Sequence, residues 1–303
     1  MEIRQLRYLV AAIEKGTLSV AADTVFITQP ALTRSLQNLE HELGVDLLER
    51  LPRGVIPTAA GKLLYQHANL IINEVKKIKA DVPLAAEGLV GNLRIGVGAL
   101  FAQHIVDDIV WQLSTSNDSM SMGITVGFFE DLVHKLVEGS LDVVFSSLPS
   151  VNVPEELIVE PLSDLNVSFV SNKDHPLAQK EICEPKDLEA ARWVIVDQPH
   201  AAAMFSQFFA SQGMVTPASL VRTDSLGLIL SLLKKGDFIS VLPRHLIYQS
   251  SEINNLVELK VRGPAITRKF GLIYREDITG RPLLKLFFDG IRKACKDIEA
   301  GSY

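Results

Sequence analysis

Residues 28–38 carry short polar side chains whose chemistry suits the reading of DNA bases. Amide and guanidinium groups match the hydrogen-bonding edges of base pairs in a major groove, and hydroxyl groups reach phosphates. Leu32, Leu36, Leu39 and Leu43 recur at helical spacing, which predicts one buried stripe with the polar residues on the opposite face. An ordinary amphipathic helix with a solvated face is the alternative. The predicted DNA-reading residues of this helix are Thr28, Gln29, Pro30, Ala31, Thr33, Arg34 and Gln37.

The elements around this helix must hold it against DNA. A helix over residues 6–13 and a short helix after Thr17 precede it, and Thr17 and Thr28 stand where each is expected to cap the helix that follows. Pro30 falls in the first helical turn, where a proline loses no hydrogen bond. Residues 45–58 are extended and rich in turn formers, which predicts a β-wing with Arg50 and Arg53 placed to enter a minor groove.

Residues 1–61 resemble the winged helix-turn-helix of the LysR-type transcriptional regulators. The resemblance rests on Leu6-Arg7-Tyr8-Leu9, Gly16-Thr17-Leu18-Ser19, Ala21-Ala22, Thr28 to Arg34, Leu39-Glu40, Leu43-Gly44, Leu48-Glu49-Arg50 and Thr58 to Gly61. Leu51-Pro52 in the wing departs from the small or polar residue usual there. The resemblance implies a bacterial regulator that binds promoter DNA as a dimer or tetramer and answers to a small-molecule effector. RNA polymerase is a further possible partner.

The composition fits a soluble protein of more than one domain. The chain has 303 residues, 47% of them hydrophobic, and a net charge of −6. No apolar run approaches the roughly 18 residues of a membrane span, and the start of the chain lacks a signal-peptide layout, so we expect a cytoplasmic protein. Cys183 and Cys295 are far apart in the sequence; two reduced thiols are expected, with a redox switch as the alternative.

The charge of the DNA-binding segment bears on its affinity. Residues 1–58 hold six Lys and Arg against seven Asp and Glu, so this segment is not basic overall. Few phosphate contacts per subunit are therefore expected, and dimerisation should matter for affinity.

Residues 59–91 are interpreted as a linker and dimerisation helix followed by a hinge. Leu64, Ala68, Ile71, Val75, Ile78 and Val82 follow a heptad spacing within residues 59–82. We expect this stripe to pair with a second copy of the chain and Pro83 to end the helix. A surface helix packed on its own domain is the alternative.

From residue 92 strands and helices alternate, which predicts an α/β domain with mainly parallel sheets. The family resemblance implies a domain like the periplasmic binding proteins, with two subdomains. We assign residues 92–163 and 269–303 to subdomain I and residues 164–268 to subdomain II. The chain is expected to cross between them near residues 163–165 and 266–268.

Ligands of such sheets lie beyond the carboxyl ends of strands, next to the amides of the following helices, which favour anions. The predicted effector-binding residues are Ala99, Leu100, Phe101, Phe128, Ser147, His200, Ala201 and Ser225. Ser225 is as well explained as a helix cap, His200 as a loop residue, and the two phenylalanines as core. Many family members carry Ser or Thr where this chain has Ala99-Leu100-Phe101, so a more apolar ligand or a smaller site is expected.

The sequence favours a regulator over other classes. It contains no phosphate-binding loop, nucleophile elbow or metal-spaced His and Cys set, so no enzyme activity, metal or cofactor is expected. A solute-binding protein for transport would leave the first 90 residues unexplained. A DNA-binding protein without an effector stays open.

Overall fold

The computed structural model describes residues 1–86, 91–116, 120–148, 153–218, 220–248, 255–276 and 282–299. They belong to two compact units. Unit 1 comprises Met1–Asn92, Ser119–Ser121 and His134–Asp142, and unit 2 comprises Leu93–Asp118, Met122–Val133 and Val143–Tyr303. The linker helix therefore shares a unit with the helix-turn-helix and with a nine-residue excursion of the α/β domain.

Unit 1 begins as a winged helix-turn-helix. Its elements are α1 (Ile3–Lys15), α2 (Leu18–Thr24), α3 (Gln29–Leu43), β1 (Leu48–Leu51) and β2 (Gly54–Pro57). The core holds Leu9, Ala12, Ala21, Ala22, Leu32, Leu36, Leu39, Leu47 and Val55. As predicted, Thr17 Oγ1 accepts a hydrogen bond from the Val20 amide at 3.4 Å.

Two expectations for α3 are wrong. Thr28 stands at the N-cap, but its side chain makes no capping hydrogen bond there. Leu43 is 42% exposed, so the buried stripe ends at Leu39, where α3 leaves the core.

Helix α4 (Ala59–Ala86) follows the wing. It runs through Pro83, so the prediction that Pro83 ends it is wrong; the proline lies three residues from the end, where only the last turn loses a hydrogen bond. Ala68 and Ile72 are buried against Leu6 of α1. Ile71, Ile78 and Val82 are exposed by 38%, 53% and 60%. Part of the predicted stripe therefore packs on its own domain, and the rest is exposed on the surface of the single chain. The predicted hinge falls mostly on residues 87–90, outside the described residues.

Unit 2 is built on a nine-stranded sheet. Its strands are β3 (Gly91–Gly98), β4 (Met120–Gly127), β5 (Val143–Ser147), β6 (Leu157–Asn172), β7 (Arg192–Val196), β8 (Leu220–Thr223), β9 (Phe238–Pro243), β10 (Leu256–Leu259) and β11 (Ile266–Arg275). The order is β4-β3-β5-β11-β6-β9-β7-β8, with β10 pairing with β6.

The sheet is mixed rather than mainly parallel, which corrects the prediction. β3 with β5, β7 with β8 and β7 with β9 are parallel. β6 and β11 are antiparallel to each other and to their other neighbours, because each returns along the sheet. Both predicted crossing points lie inside these two strands.

Helices cover the sheet. They are α5 (Asp107–Ser116), preceded by a π-helical turn over Ala102–Val106, then α6 (Phe129–Val137), α7 (Pro199–Ser211), α8 (Leu226–Lys234), α9 (Arg244–Tyr248) and α10 (Pro282–Glu299), with 3-10 turns at Pro176–Gln179 and Pro185–Leu188. Trp193 of β7 packs edge-on against Phe205 and Phe209 of α7, which fixes that helix to the sheet.

Candidate functional site

The polar face of α3 is open to solvent. Thr28, Gln29, Pro30, Ala31, Arg34 and Gln37 are exposed and Thr33 is half-buried. Pro30, Ala31 and Arg34 border an open groove of about 590 Å³ together with Arg4 and Tyr8 of α1. A second cation, Arg4, therefore lies beside the predicted reading face.

The wing is held beside α3 by a carboxylate. Glu40 Oε1 accepts hydrogen bonds from the backbone amides of Leu47, at 2.9 Å, and Leu48, at 3.2 Å. Gln37 of α3 and Arg50 of β1 line one open groove. Arg53 is exposed in the two-residue turn between the paired residues Leu51 and Gly54.

The far end of the wing packs against the turn before α2. The Val55 amide donates to the Gly16 carbonyl oxygen at 2.8 Å. Gly54 has φ +142°, and a Cβ there would lie 2.2 Å from that same oxygen. Only glycine fits this close approach, so the position of Arg53 relative to α2 is set by backbone contacts.

Phe26 has a conformation and an exposure that no sequence pattern predicted. It lies in the turn between α2 and α3, its side chain is 95% exposed, and its φ is +57°. This left-handed conformation is costly for a bulky residue.

In unit 2 five predicted effector residues surround one small cavity. Ala99, Leu100, Phe101, Phe128 and Ser147 line it, and its volume is about 20 Å³. Ser146, Gln198 and Asp224 add polar groups to its wall and were not among the predicted effector-binding residues. These residues follow β3, β4, β5, β7 and β8, so the cavity lies at the carboxyl ends of the strands.

Arg268 reaches this wall from β11. Its Nη2 donates to Ser147 Oγ at 3.2 Å. Burial lowers the pKa of the Arg268 guanidinium to about 10. Among the residues that the structure describes, no acidic side chain pairs with it. Sequence analysis missed Arg268 as a site residue; a lone arginine at a predicted crossing point was the available signal.

The apolar part of the wall is firmly packed. Phe101 is 3% exposed and lies edge-on to Phe145, with ring centroids 5.3 Å apart, and stacked on Phe270 at 5.5 Å. His245 Nε2 lies 3.1 Å from the Leu100 carbonyl oxygen. Phe101 is thus both a core residue and a cavity residue.

The other three predicted effector residues do not line the cavity. Ser225 Oγ accepts from the Leu228 amide at 3.2 Å and caps α8, so the capping alternative describes its contact. Ala201 is half-buried in α7 and is not part of the wall. His200 lies in the first turn of α7, and its side chain falls outside what the structure describes.

Both cysteines are buried. Burial raises the pKa of the Cys183 thiol, which donates to the Leu177 carbonyl oxygen at 3.4 Å. Within the described ranges no group of three or more His, Cys, Asp or Glu side chains is arranged to hold a metal ion. No helix in those ranges has the length and apolar character needed to cross a membrane.

A winged helix-turn-helix, a long helix with an uncovered apolar face and an α/β unit with a cavity at its strand ends define a DNA-binding regulator with an effector domain. The model of the bacterial regulatory helix-turn-helix protein, lysR family, matches residues 3–62, and that of the LysR substrate binding domain matches residues 86–296. The chain belongs to the LysR family of DNA-binding transcriptional regulators.

Three relatives illustrate the likeness. The DNA-binding transcriptional dual regulator OxyR of Escherichia coli K12 is 30% identical over 93% of this chain and 91% of its own. A hydrogen peroxide-inducible genes activator of Dickeya chrysanthemi is 29% identical over 97% and 95%. The crystal structure of full-length CbnR complexed with target DNA has a TM-score of 0.63 at 23% identity, covering 97% of this chain and 100% of that one.

Proposed function

We propose that this regulator responds to a small anion bound beside Ser147 and Arg268. The observation that carries the proposal is the half-buried guanidinium of Arg268, whose pKa is lowered by desolvation and whose only described hydrogen-bond partner is the Ser147 hydroxyl. A partly desolvated charge without an opposite charge is unfavourable, and an anionic ligand offsets that penalty. The planar guanidinium also matches a carboxylate or phosphate with two parallel hydrogen bonds.

The cavity's size restricts how such an anion binds. A volume of about 20 Å³ holds a single water molecule. An anion of a few atoms enters only if the wall gives way, so we infer that the effector favours a more open arrangement of the strand ends. A ligand shifts a conformational equilibrium only by its difference in affinity for the two states. Here the anion fits the open state and not the closed state, so its affinity differs between them.

On the DNA side we propose that the exposed face of α3 reads the major groove and that Arg50 and Arg53 of the wing contact the minor groove or phosphates. The CbnR complex supports this proposal by likeness of fold. We further propose that two copies pair through α4, because Ile71, Ile78 and Val82 are uncovered in one chain. Tetramers built from such dimers, and a place of action in the bacterial cytoplasm, are part of the same proposal.

Thermal unfolding of the full chain tests the effector. Formate, acetate, nitrate and phosphate are compared with the neutral molecules formamide and acetamide at equal ionic strength. At least one anion should raise the melting temperature of the native protein and not that of Arg268→Met. Ser225→Ala is the matched control, because it changes a nearby polar residue outside the cavity wall, and it should keep the response. An equal shift in Arg268→Met contradicts the proposal.

Thiol-based peroxide sensing is the second candidate, since relatives are named for peroxide induction. A sensor thiol needs exposure and a lowered pKa, whereas Cys183 is buried and its pKa is raised. We therefore expect peroxide to leave the DNA footprint unchanged. A peroxide-dependent footprint that disappears in Cys183→Ser or Cys295→Ser would favour this candidate instead.

A further inference from the structure

A second cavity lies in unit 1, apart from the effector cavity. It has a volume of about 280 Å³. Ile13 of α1 and Pro57 of β2 form part of its wall, Tyr65 and Asn69 of α4 another part, and Val137 of α6 a third. This volume is close to the lower limit for small-molecule pockets, and a cavity of about half that size holds one benzene ring.

Asn69 gives this cavity an unused donor. The residue is 7% exposed and lies in the cavity wall. Its buried Nδ2 atom has no acceptor in normal hydrogen-bond geometry in the described part of the chain, although the Asn69 side chain acts on the Tyr65 hydroxyl, whose pKa it lowers. Because a buried amide without a well-placed acceptor is unfavourable, such a group in a cavity wall favours a ligand that accepts a hydrogen bond.

The charges around Asn69 select against an anionic ligand. Burial raises the pKa of the neighbouring Tyr65 hydroxyl; Asn69 lowers it, and the carboxylates of Glu14 and Glu138 raise it further. Two carboxylates thus act on this part of the wall, against one exposed lysine, Lys62, and the imidazole of His134, whose Nδ1 lies 3.4 Å from Glu138 Oε2. A neutral carbonyl oxygen accepts from Asn69 without repulsion from either carboxylate, whereas a ligand carboxylate meets both.

The cavity is held in shape by direct contacts between α4 and the segment after α6. Asn73 Nδ2 donates to the Glu138 carbonyl oxygen at 2.6 Å. Lys77 Nζ lies 2.7 Å from Asp142 Oδ1, and both side chains are buried, with exposures of 4% and 0%. These contacts keep Val137 and Glu138 in place opposite Asn69.

We propose that this cavity binds a neutral, mainly apolar molecule of one ring that carries a carbonyl group, with the carbonyl oxygen accepting a hydrogen bond from Asn69. The bound molecule touches the DNA-binding elements α1 and β2 and the end of α6 together. It therefore stabilises the arrangement of unit 1 seen here and forms a regulatory input separate from the anion site.

Calorimetric titration of the full chain with cyclohexanecarboxamide tests this site. Cyclohexanecarboxylate is the matched probe, because it has the same shape and a negative charge. The amide should bind the native protein saturably. Asn69→Leu keeps the volume of the side chain and removes the donor, so binding should weaken about tenfold. Val137→Phe narrows the cavity and should abolish binding. Melting curves establish that both variants are folded.

Arg268→Met is the control for the effector cavity and should bind the amide like the native protein. Absence of amide binding to the native chain overturns the proposal, as does unchanged binding in both Asn69→Leu and Val137→Phe. A preference for the carboxylate that these two variants remove also overturns it. Carboxylate binding that only Arg268→Met removes belongs to the anion site and leaves this proposal standing.

Discussion

At the scale of single residues, Phe26 adopts an unfavourable backbone conformation in the helix-turn-helix. Its φ of +57° is one that asparagine adopts more readily than phenylalanine. Because the side chain is 95% exposed, little packing is lost when it is replaced. We expect Phe26→Asn to stabilise the protein by about 1 kcal/mol, measured as a higher melting temperature. Val215→Asn also replaces an exposed apolar residue by asparagine, but at an ordinary φ, and should not stabilise. A lower melting temperature for Phe26→Asn contradicts the strain argument.

Arg34 and Arg53 are expected to act on DNA in different ways. Arg34 is exposed on the reading face of α3, so Arg34→Ala should weaken binding to the operator more than binding to unrelated DNA. Arg53→Ala should weaken binding to all sequences and make the salt slope shallower by about one. Footprinting or fluorescence anisotropy at several salt concentrations measures both. Equal losses on both kinds of DNA exclude base reading by Arg34, and an unchanged slope excludes phosphate contact by Arg53.

At the scale of elements, the uncovered face of α4 predicts a dimer. Ile78 is 53% exposed in the single chain, so Ile78→Asp should leave the fold intact and separate the subunits. Val75 is half-buried, so a charge at this position would also disturb packing within the single chain. Light scattering over a range of concentrations measures the mass. Ala80→Asp adds the same charge on the opposite face of α4 and should keep the dimer. An unchanged mass for Ile78→Asp removes α4 from the interface.

The sequence predicted the regular helices and strands better than it predicted where they end or become irregular. Periodicity identified α3 and most strands, because one face of each is buried in its own core. The first half of β6 has no such pattern, because Glu160, Pro161 and Asp164 interrupt its apolar residues. Pro83 lies inside α4 because a loss in the last turn is small.

At the effector cavity, too, local sequence patterns predicted some residues and missed a contact between distant parts of the chain. Position after a strand was enough to find Ala99, Phe128 and Ser147, since the rule for strand ends is local. Arg268 was missed because its contact with Ser147 joins residues 121 positions apart. Such a contact depends on the pairing of β5 with β11, which no local pattern shows.

At the scale of the molecule, the ion pair of Lys77 and Asp142 ties α4 to the α/β chain within unit 1. Breaking a buried ion pair removes an attraction that offsets the burial of both charges, so Lys77→Met should cost about 3–5 kcal/mol. The double variant Lys77→Met with Asp142→Leu should recover much of this loss. Denaturant unfolding of the four proteins measures the coupling. Additive losses in the double variant contradict an interaction between the two residues.

The excursion of residues 134–142 into unit 1 also limits how this protein can be divided or recombined. A fragment that starts at residue 92 keeps Asp142 and discards Lys77 and Asn73, so the ion pair and the hydrogen bond that these two residues make in the whole protein are lost. Effector affinities measured on that fragment would describe a molecule with a different stability and a different balance of conformations. The same constraint applies to a chimaera that joins this DNA-binding domain to the effector domain of another regulator. Such a chimaera has to take both α4 and residues 134–142 from this protein.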